Sequence, residues 1–145
     1  MYLDSAIIVK LLTEEEDTAF FQRALQGQIL GSSELSHPEV FSALLSKERT
    51  KRISHSQRSM AWSLFNERVA LKQIEILPVD IGAFGKARQF LEACHPRVPL
   101  RTLDAIHLAA CDLSQDFPLC TTDRRMREAA SLLKIPLFPE TLPAD

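Results

Sequence analysis

Short apolar runs alternate along this chain with longer segments whose apolar residues recur at helical spacing. The short runs predict β-strands at residues 1–3, 28–31, 74–79 and 118–122. The longer segments predict helices, one of which carries Met60, Leu64, Phe65 and Val69 at helical spacing. Strands that alternate with helices predict an α/β/α sandwich, with a short, mostly parallel central sheet flanked by helices.

Helix starts are predicted where a residue suited to N-terminal capping precedes an amphipathic segment. Thr13 and Ser36 each precede a glutamate by three residues, which is the spacing of a capping box. Another helix is predicted to begin at residues 54–57. Asp80 and Asp123 each follow a predicted strand, and we expect them to cap the helices that come next.

The size and composition of the chain fit one domain, at residues 1–145. The 145 residues are 46% hydrophobic and 25% charged, which is typical of a soluble globular protein with its own core. The apolar runs are too short to span a membrane, and the N-terminal segment lacks the pattern of a secretion signal. Cys94, Cys111 and Cys120 lack metal-site spacing, so we expect reduced core thiols in a cytoplasmic protein.

Acidic residues occur where apolar runs give way to helix starts. They are Asp4, Glu39, Asp104 and Asp123, called the acidic set below. Asp4 and Asp123 each follow a predicted strand directly. In an open parallel sheet, the turns at the carboxyl ends of the strands form ligand sites. We therefore expect the acidic set to gather into one metal-binding cluster.

A structural role would also explain these acids. Aspartate is a common N-terminal cap, and the helix dipole favours an acid in the first turn of a helix. Glu39 has capping-box spacing from Ser36, and Asp104 follows Thr102 closely. The surroundings of Asp104 favour a functional role instead. Residues 105–111 are so apolar that their helix must be largely buried, and a carboxylate at its buried end needs a partner or a metal.

The segments around the acidic set resemble the motifs of PIN-domain ribonucleases, and within them the VapC toxins of bacterial and archaeal toxin–antitoxin pairs. These segments are residues 1–6, 36–44, 103–110 and 120–126. Their order and the chain length are also similar to those of the family. Ala6 stands where a second hydroxyl residue is common, and Cys111 where a small residue is usual. Neither departure removes an acid.

The resemblance implies a metal-dependent endoribonuclease that cuts single-stranded or looped RNA and leaves a 5′-phosphate and a 3′-hydroxyl. It also implies a cognate antitoxin whose C-terminal segment covers the cleft, and homodimer formation. Carboxylates suit Mg²⁺ or Mn²⁺, because these hard cations take oxygen ligands. The expected metal ligands and catalytic residues are Asp4, Glu39, Asp104 and Asp123. Ser5 and Thr122 are expected to support them through hydroxyl or backbone contacts.

Basic residues near the acids are candidates for contacts with RNA phosphates. The candidates are Arg97, Arg101, Arg124 and Arg125, although a basic side chain beside an acid can instead pair with it. A net charge of −2 is compatible with RNA, because the local charge near the cleft matters more than the total. We interpret His107 as a core histidine bonded to a carbonyl or carboxylate, and the alternative is a ligand or base.

Two other classes of function stay open. One is a PIN-type nuclease in RNA maturation or decay that works without an antitoxin. The other is a noncatalytic RNA-binding or scaffold module whose acids are only helix caps. The apolar residues at positions 20–21 and 40–45 also leave two interpretations, an exposed groove for a partner helix beside the acids or ordinary core.

Overall fold

Five short parallel strands form the centre of the protein. The computed structural model describes residues 1–142. The strands are β1 (Tyr2–Leu3), β2 (Leu30–Ser33), β3 (Ile74–Leu77), β4 (Leu119–Cys120) and β5 (Leu137–Phe138). They lie in the order β3-β2-β1-β4-β5, and every neighbouring pair is parallel.

Helices cover both faces of this sheet. They are α1 (Ser5–Leu12), α2 (Thr18–Leu25), α3 (Ser36–Arg49), α4 (His55–Ala70), α5 (Ile81–Cys94), α6 (Thr102–Ser114) and α7 (Arg124–Leu132). Tyr2 and Leu119 belong to the hydrophobic cluster formed with α5, α6 and α7. Leu3 and Cys120 belong to the cluster formed with α1 to α4. Because adjacent strand residues point to opposite faces, these clusters are the two layers of the predicted α/β/α sandwich, which is confirmed.

The centre of the sheet is also its topological switch point. Strand β1 has β2 on one side and β4 on the other, so the strand order runs outward from β1 in both directions. Tyr2 is in register with Leu119, and Leu3 with Cys120. Asp4, the first residue after β1, therefore lies beside Thr121, the first residue after β4. Ligands bind at this kind of position in open α/β sheets.

The helix start predicted at Thr13 is wrong. Thr13 ends α1, and its hydroxyl donates to the carbonyl of Val9 at 2.9 Å. Helix α2 begins at Thr18, whose hydroxyl accepts from the amide of Glu15 at 2.8 Å and donates to the carbonyl of Lys10 at 3.0 Å. The neighbouring Glu15 carboxylate pairs with Lys10 and Lys47.

The capping box predicted at Ser36 is also wrong, whereas the helix start predicted at residues 54–57 is confirmed, with Ser54 as the N-cap of α4. Helix α3 already includes Ser36, whose buried hydroxyl has no hydrogen-bond partner within residues 1–142. The carboxylate of Glu39 accepts hydrogen bonds from Ser5 and His107, so a contact between distant segments replaces the local one. Strand β5, which was not predicted, is two residues long and lies between Pro136 and Pro139.

The side chains that suggested a groove for a partner helix divide between core and surface. Phe21, Val40 and Leu44 are fully buried, as the core interpretation requires. Phe20 and Ala43 are partly exposed and line a cleft beside the acids. Separately, none of the helices within residues 1–142 is long and apolar enough to cross a lipid bilayer.

Candidate active site

Asp4 is a buried carboxylate held by two hydrogen bonds. It caps α1, because its Oδ1 accepts from the backbone amide of Ile7 at 2.8 Å. Its Oδ2 accepts from the hydroxyl of Thr121. Only 3% of the residue is exposed, and this burial raises the pKa of Asp4 although both hydrogen bonds act in the opposite direction. A nearby cation would therefore stabilise the ionised form.

Thr121 connects Asp4 to Asp123. The same hydroxyl that donates to Asp4 accepts from the backbone amide of Asp123 at 3.1 Å. Asp123 caps α7, as its Oδ1 accepts from the amide of Met126 at 2.8 Å. Thr122, which was expected to support the acids, lines the neighbouring cleft. Thr121 was not among the residues expected at the site. The register of β1 with β4 would have identified it, because that register places Thr121 opposite Asp4.

Arg101 joins Asp104 to Asp123. Asp104 lies in the first turn of α6 and is 8% exposed. The Nε of Arg101 donates to the Oδ2 of Asp104 at 2.7 Å, and its Nη2 donates to the Oδ2 of Asp123 at 3.0 Å. Arg101 was a candidate for contact with RNA phosphates. Its guanidinium instead pairs with two acids, the other role expected of a basic side chain beside an acid. Two carboxylates thus share one cationic group.

Glu39 reaches the same region from α3. Its Oε1 accepts from the Ser5 hydroxyl at 2.9 Å and contacts Nε2 of His107 at 2.5 Å. Burial alone would raise the pKa of Glu39, but its contacts with His107, Ser5 and Arg101 together lower it. The pKa of Glu39 therefore lies below its usual value, and this acid stays ionised at neutral pH.

His107 is buried, and both of its ring nitrogens have partners. Nδ1 lies 2.7 Å from the Tyr2 hydroxyl, and Nε2 faces Glu39. The interpretation of His107 as a core histidine bonded to a carboxylate is therefore confirmed. That the carboxylate belongs to Glu39 was not predicted. Thr121 and Arg101 connect Asp4, Asp123 and Asp104 through hydrogen bonds. Glu39 is held separately, by Ser5 and His107.

Comparison with known proteins assigns this arrangement to a family. The family described as PIN domain matches residues 1–132. Ribonuclease VapC46 of Mycobacterium tuberculosis (strain ATCC 25618 / H37Rv) is 37% identical to this chain over 138 residues, which cover 92% of each protein. The chain is a PIN-domain protein of the VapC type. The family resemblance drawn from its four acidic segments is confirmed.

A cleft of about 1240 Å³ in this PIN domain is lined by Glu39, whereas Asp4, Asp104 and Asp123 do not line it. Its walls include Ser5, Lys10, Glu15, Phe20, Glu39, Lys47, Arg52, Thr122 and Arg124. Lys47, near the end of α3, and Arg52, just beyond that helix, bring basic side chains to the cleft. Arg97 and Arg125, the other candidates for RNA contact, are exposed and do not line the cleft.

The donor set of this PIN domain fits a hard divalent cation. Three aspartates and a glutamate offer only oxygen ligands, which Mg²⁺ and Mn²⁺ prefer. The guanidinium of Arg101 shows that positive charge is already favoured between Asp104 and Asp123. Within residues 1–142, no three acidic, histidine or cysteine side chains converge as a ready metal-ligand group. Metal binding would therefore require Arg101 to leave the acids.

Proposed function

We propose that this PIN domain is a Mg²⁺- or Mn²⁺-dependent endoribonuclease that hydrolyses RNA phosphodiester bonds as the toxin of a toxin–antitoxin pair. The observation that carries the proposal is the acidic network at the switch point of the sheet, beside an open cleft. The name of Ribonuclease VapC46, a relative over almost the whole chain, supports the nuclease assignment.

The acidic set would hold the metal ion through carboxylate oxygens. Bound there, the ion would polarise a phosphodiester, favour ionisation of an attacking water and offset the charge on the leaving oxygen. Thr121 and the amide of Ile7 fix the orientation of Asp4, and the amide of Met126 fixes that of Asp123. Two of the four proposed ligands are thus fixed in orientation, whereas Arg101 would have to leave Asp104 and Asp123 before an ion could bind them.

Cleavage assays on the Asp4→Asn variant test this proposal. An asparagine can still accept from the amide of Ile7, so the cap on α1 persists while the negative charge is lost. We expect cleavage of single-stranded RNA to fall by at least about 100-fold, since an inner carboxylate is removed from a hard-cation site. Asp80→Asn is the matched control, because Asp80 caps α5 in the same way but is exposed and outside the network.

Two outcomes would contradict the proposed function. Full cleavage activity in excess chelator would refute dependence on a divalent cation. Equal activity of Asp4→Asn and Asp80→Asn would assign Asp4 to capping alone, as in the noncatalytic alternative.

The proposed partners are an RNA substrate, a cognate antitoxin and a second copy of the chain in a homodimer. Arg124 on the cleft wall, with exposed Arg97 and Arg125, supplies candidate contacts to RNA phosphates. The alternative nuclease of RNA maturation or decay needs no antitoxin. Expression of this chain should therefore arrest growth, and co-expression of the reading frame beside its gene should relieve the arrest. Continued growth without that frame would favour the maturation nuclease.

A further inference from the structure

A chain of buried hydrogen bonds leads from the central strand to Glu39. The Tyr2 hydroxyl in β1 lies 2.7 Å from Nδ1 of His107 in α6, and Nε2 of His107 lies 2.5 Å from Oε1 of Glu39 in α3. Tyr2 and His107 are 0% and 1% exposed. Their rings also meet edge to face, with centroids 5.8 Å apart. Buried contacts on both sides therefore hold the imidazole in one orientation.

The donors and acceptors in this chain can be assigned from its chemistry. A phenol is protonated at neutral pH, so the Tyr2 hydroxyl can donate to the ring nitrogen that it faces. An imidazole nitrogen that faces a carboxylate must carry a proton to form a hydrogen bond, which assigns N–H to Nε2 of His107. In the neutral ring, Nδ1 is then the acceptor, and Tyr2 donates to it. The Tyr2 hydroxyl thus selects the tautomer that binds Glu39.

We propose that Tyr2 and His107 are positioning residues, which hold the Glu39 carboxylate where it completes the metal-binding set. This inference rests on the proposed function. Glu39 needs such support because its side chain is long and 26% exposed, so it would otherwise sample several rotamers beside the open cleft. Residues that orient metal ligands through hydrogen bonds commonly change metal affinity when they are replaced.

A purely structural role for the pair makes a different prediction. In that case the bond between His107 and Glu39 only ties α6 to α3, and its loss would lower stability without changing metal affinity. Tyr2→Phe separates the two roles, because it keeps the aromatic ring and leaves His107 in place. Without the hydroxyl, the Nδ1–H tautomer becomes available to His107. The bare Nε2 of that tautomer would face a carboxylate and could not bind it.

The experiment combines titration calorimetry with side-chain nitrogen NMR on the full chain. We expect His107 in the metal-free protein to show the neutral Nε2–H tautomer, and Tyr2→Phe to show a mixture. Mn²⁺ affinity should fall by roughly 10- to 100-fold in Tyr2→Phe, the range found for residues that orient metal ligands. Ser114→Ala is the control. It removes another hydroxyl bond of α6, from Ser114 to the carbonyl of Ala110, at the end of the helix away from the acids.

A second pair of variants protects the test against a folding defect. His107→Gln keeps an amide N–H that can reach Glu39, whereas His107→Leu removes the donor. The inference expects Mn²⁺ affinity to be partly retained in the glutamine variant and weakest in the leucine variant, with folding checked by circular dichroism.

The possible outcomes separate this inference from the proposed function. Absence of Mn²⁺ binding by the wild-type protein would refute both. Wild-type binding with unchanged affinity in Tyr2→Phe, or an Nδ1–H or doubly protonated His107 in the wild-type spectrum, would refute the positioning role alone. Weaker binding in Tyr2→Phe together with a changed tautomer would support it.

Discussion

Replacing Arg101 tests whether the chain's own cation competes with metal for the acids. The guanidinium bridges Asp104 and Asp123 at 2.7 and 3.0 Å, and 58% of the Arg101 side chain is exposed. An ion pair this open to solvent contributes about 0.2–1 kcal/mol, so the two together contribute about 0.4–2 kcal/mol, with a midpoint of about 1.2 kcal/mol. A metal ion must break both pairs to use these carboxylates. Arg101→Gln should therefore raise Mn²⁺ affinity by up to about tenfold, the equivalent of about 1.4 kcal/mol.

The same substitution should weaken the metal-free protein, because Asp104 and Asp123 would lose their shared counter-charge. The loss of about 1 kcal/mol corresponds to a decrease in Tm of about 2–4 °C for a chain of this size. Titration calorimetry gives the affinity, and thermal denaturation with and without Mn²⁺ gives the stability. Both effects should shrink as salt is raised, since exposed charges are screened.

Two variants complete the design. Arg101→Lys keeps the charge but not the planar fork that reaches two carboxylates, so its effects should be intermediate. Arg97→Gln removes an exposed arginine four residues earlier and should change neither quantity. The reasoning fails if Arg101→Gln binds Mn²⁺ with unchanged or lower affinity. Lower affinity would mean that Arg101 orients the acids for metal instead of competing with it.

Three further perturbations test other contacts. Asp123→Asn keeps an oxygen that can cap α7 but loses the negative charge. If Mn²⁺ affinity falls tenfold, the rise in Tm that Mn²⁺ induces should shrink by about 3–5 °C. An unchanged rise would mean that Asp123 is not a metal ligand. Thr121→Val removes the donor to the buried carboxylate of Asp4 and should cost about 1.5–3 kcal/mol in urea unfolding, whereas Thr122→Val should change little. Lys47 and Lys10 outweigh burial and lower the pKa of Glu15, so Glu15→Gln should cost about 1 kcal/mol at pH 7. That difference should disappear as the pH falls below the usual value of 4.5, and a gap that persists at acidic pH would refute the ionic origin.

The features that could be predicted from sequence depend on neighbours in the chain. The caps formed by Asp80 and Asp123 were predicted because each aspartate accepts from an amide three residues later. The apolar segment after Asp104 likewise indicated a buried helix, which α6 confirms.

The features that were missed depend on tertiary contacts. The pairing of Asp4 with Thr121 follows from the register of two strands that are far apart in the chain. The capping-box spacing of Glu39 was misleading because His107, 68 residues away, offers a buried donor that outcompetes the local amide. Local spacing contains no information about such a competitor.

The central position of β1 has a consequence for biosynthesis. Asp4 is made early, but the hydroxyl that binds it belongs to Thr121, 117 residues later. Strand β1 has two neighbouring strands in the sheet, and one of them is β4. Synthesis at about 5–20 residues per second separates the two by several seconds, during which neither the strand pair nor the acidic network can form. If the acidic set is the proposed catalytic site, the nascent chain would be unable to cut the RNA of its own ribosome until Thr121 has left the exit tunnel.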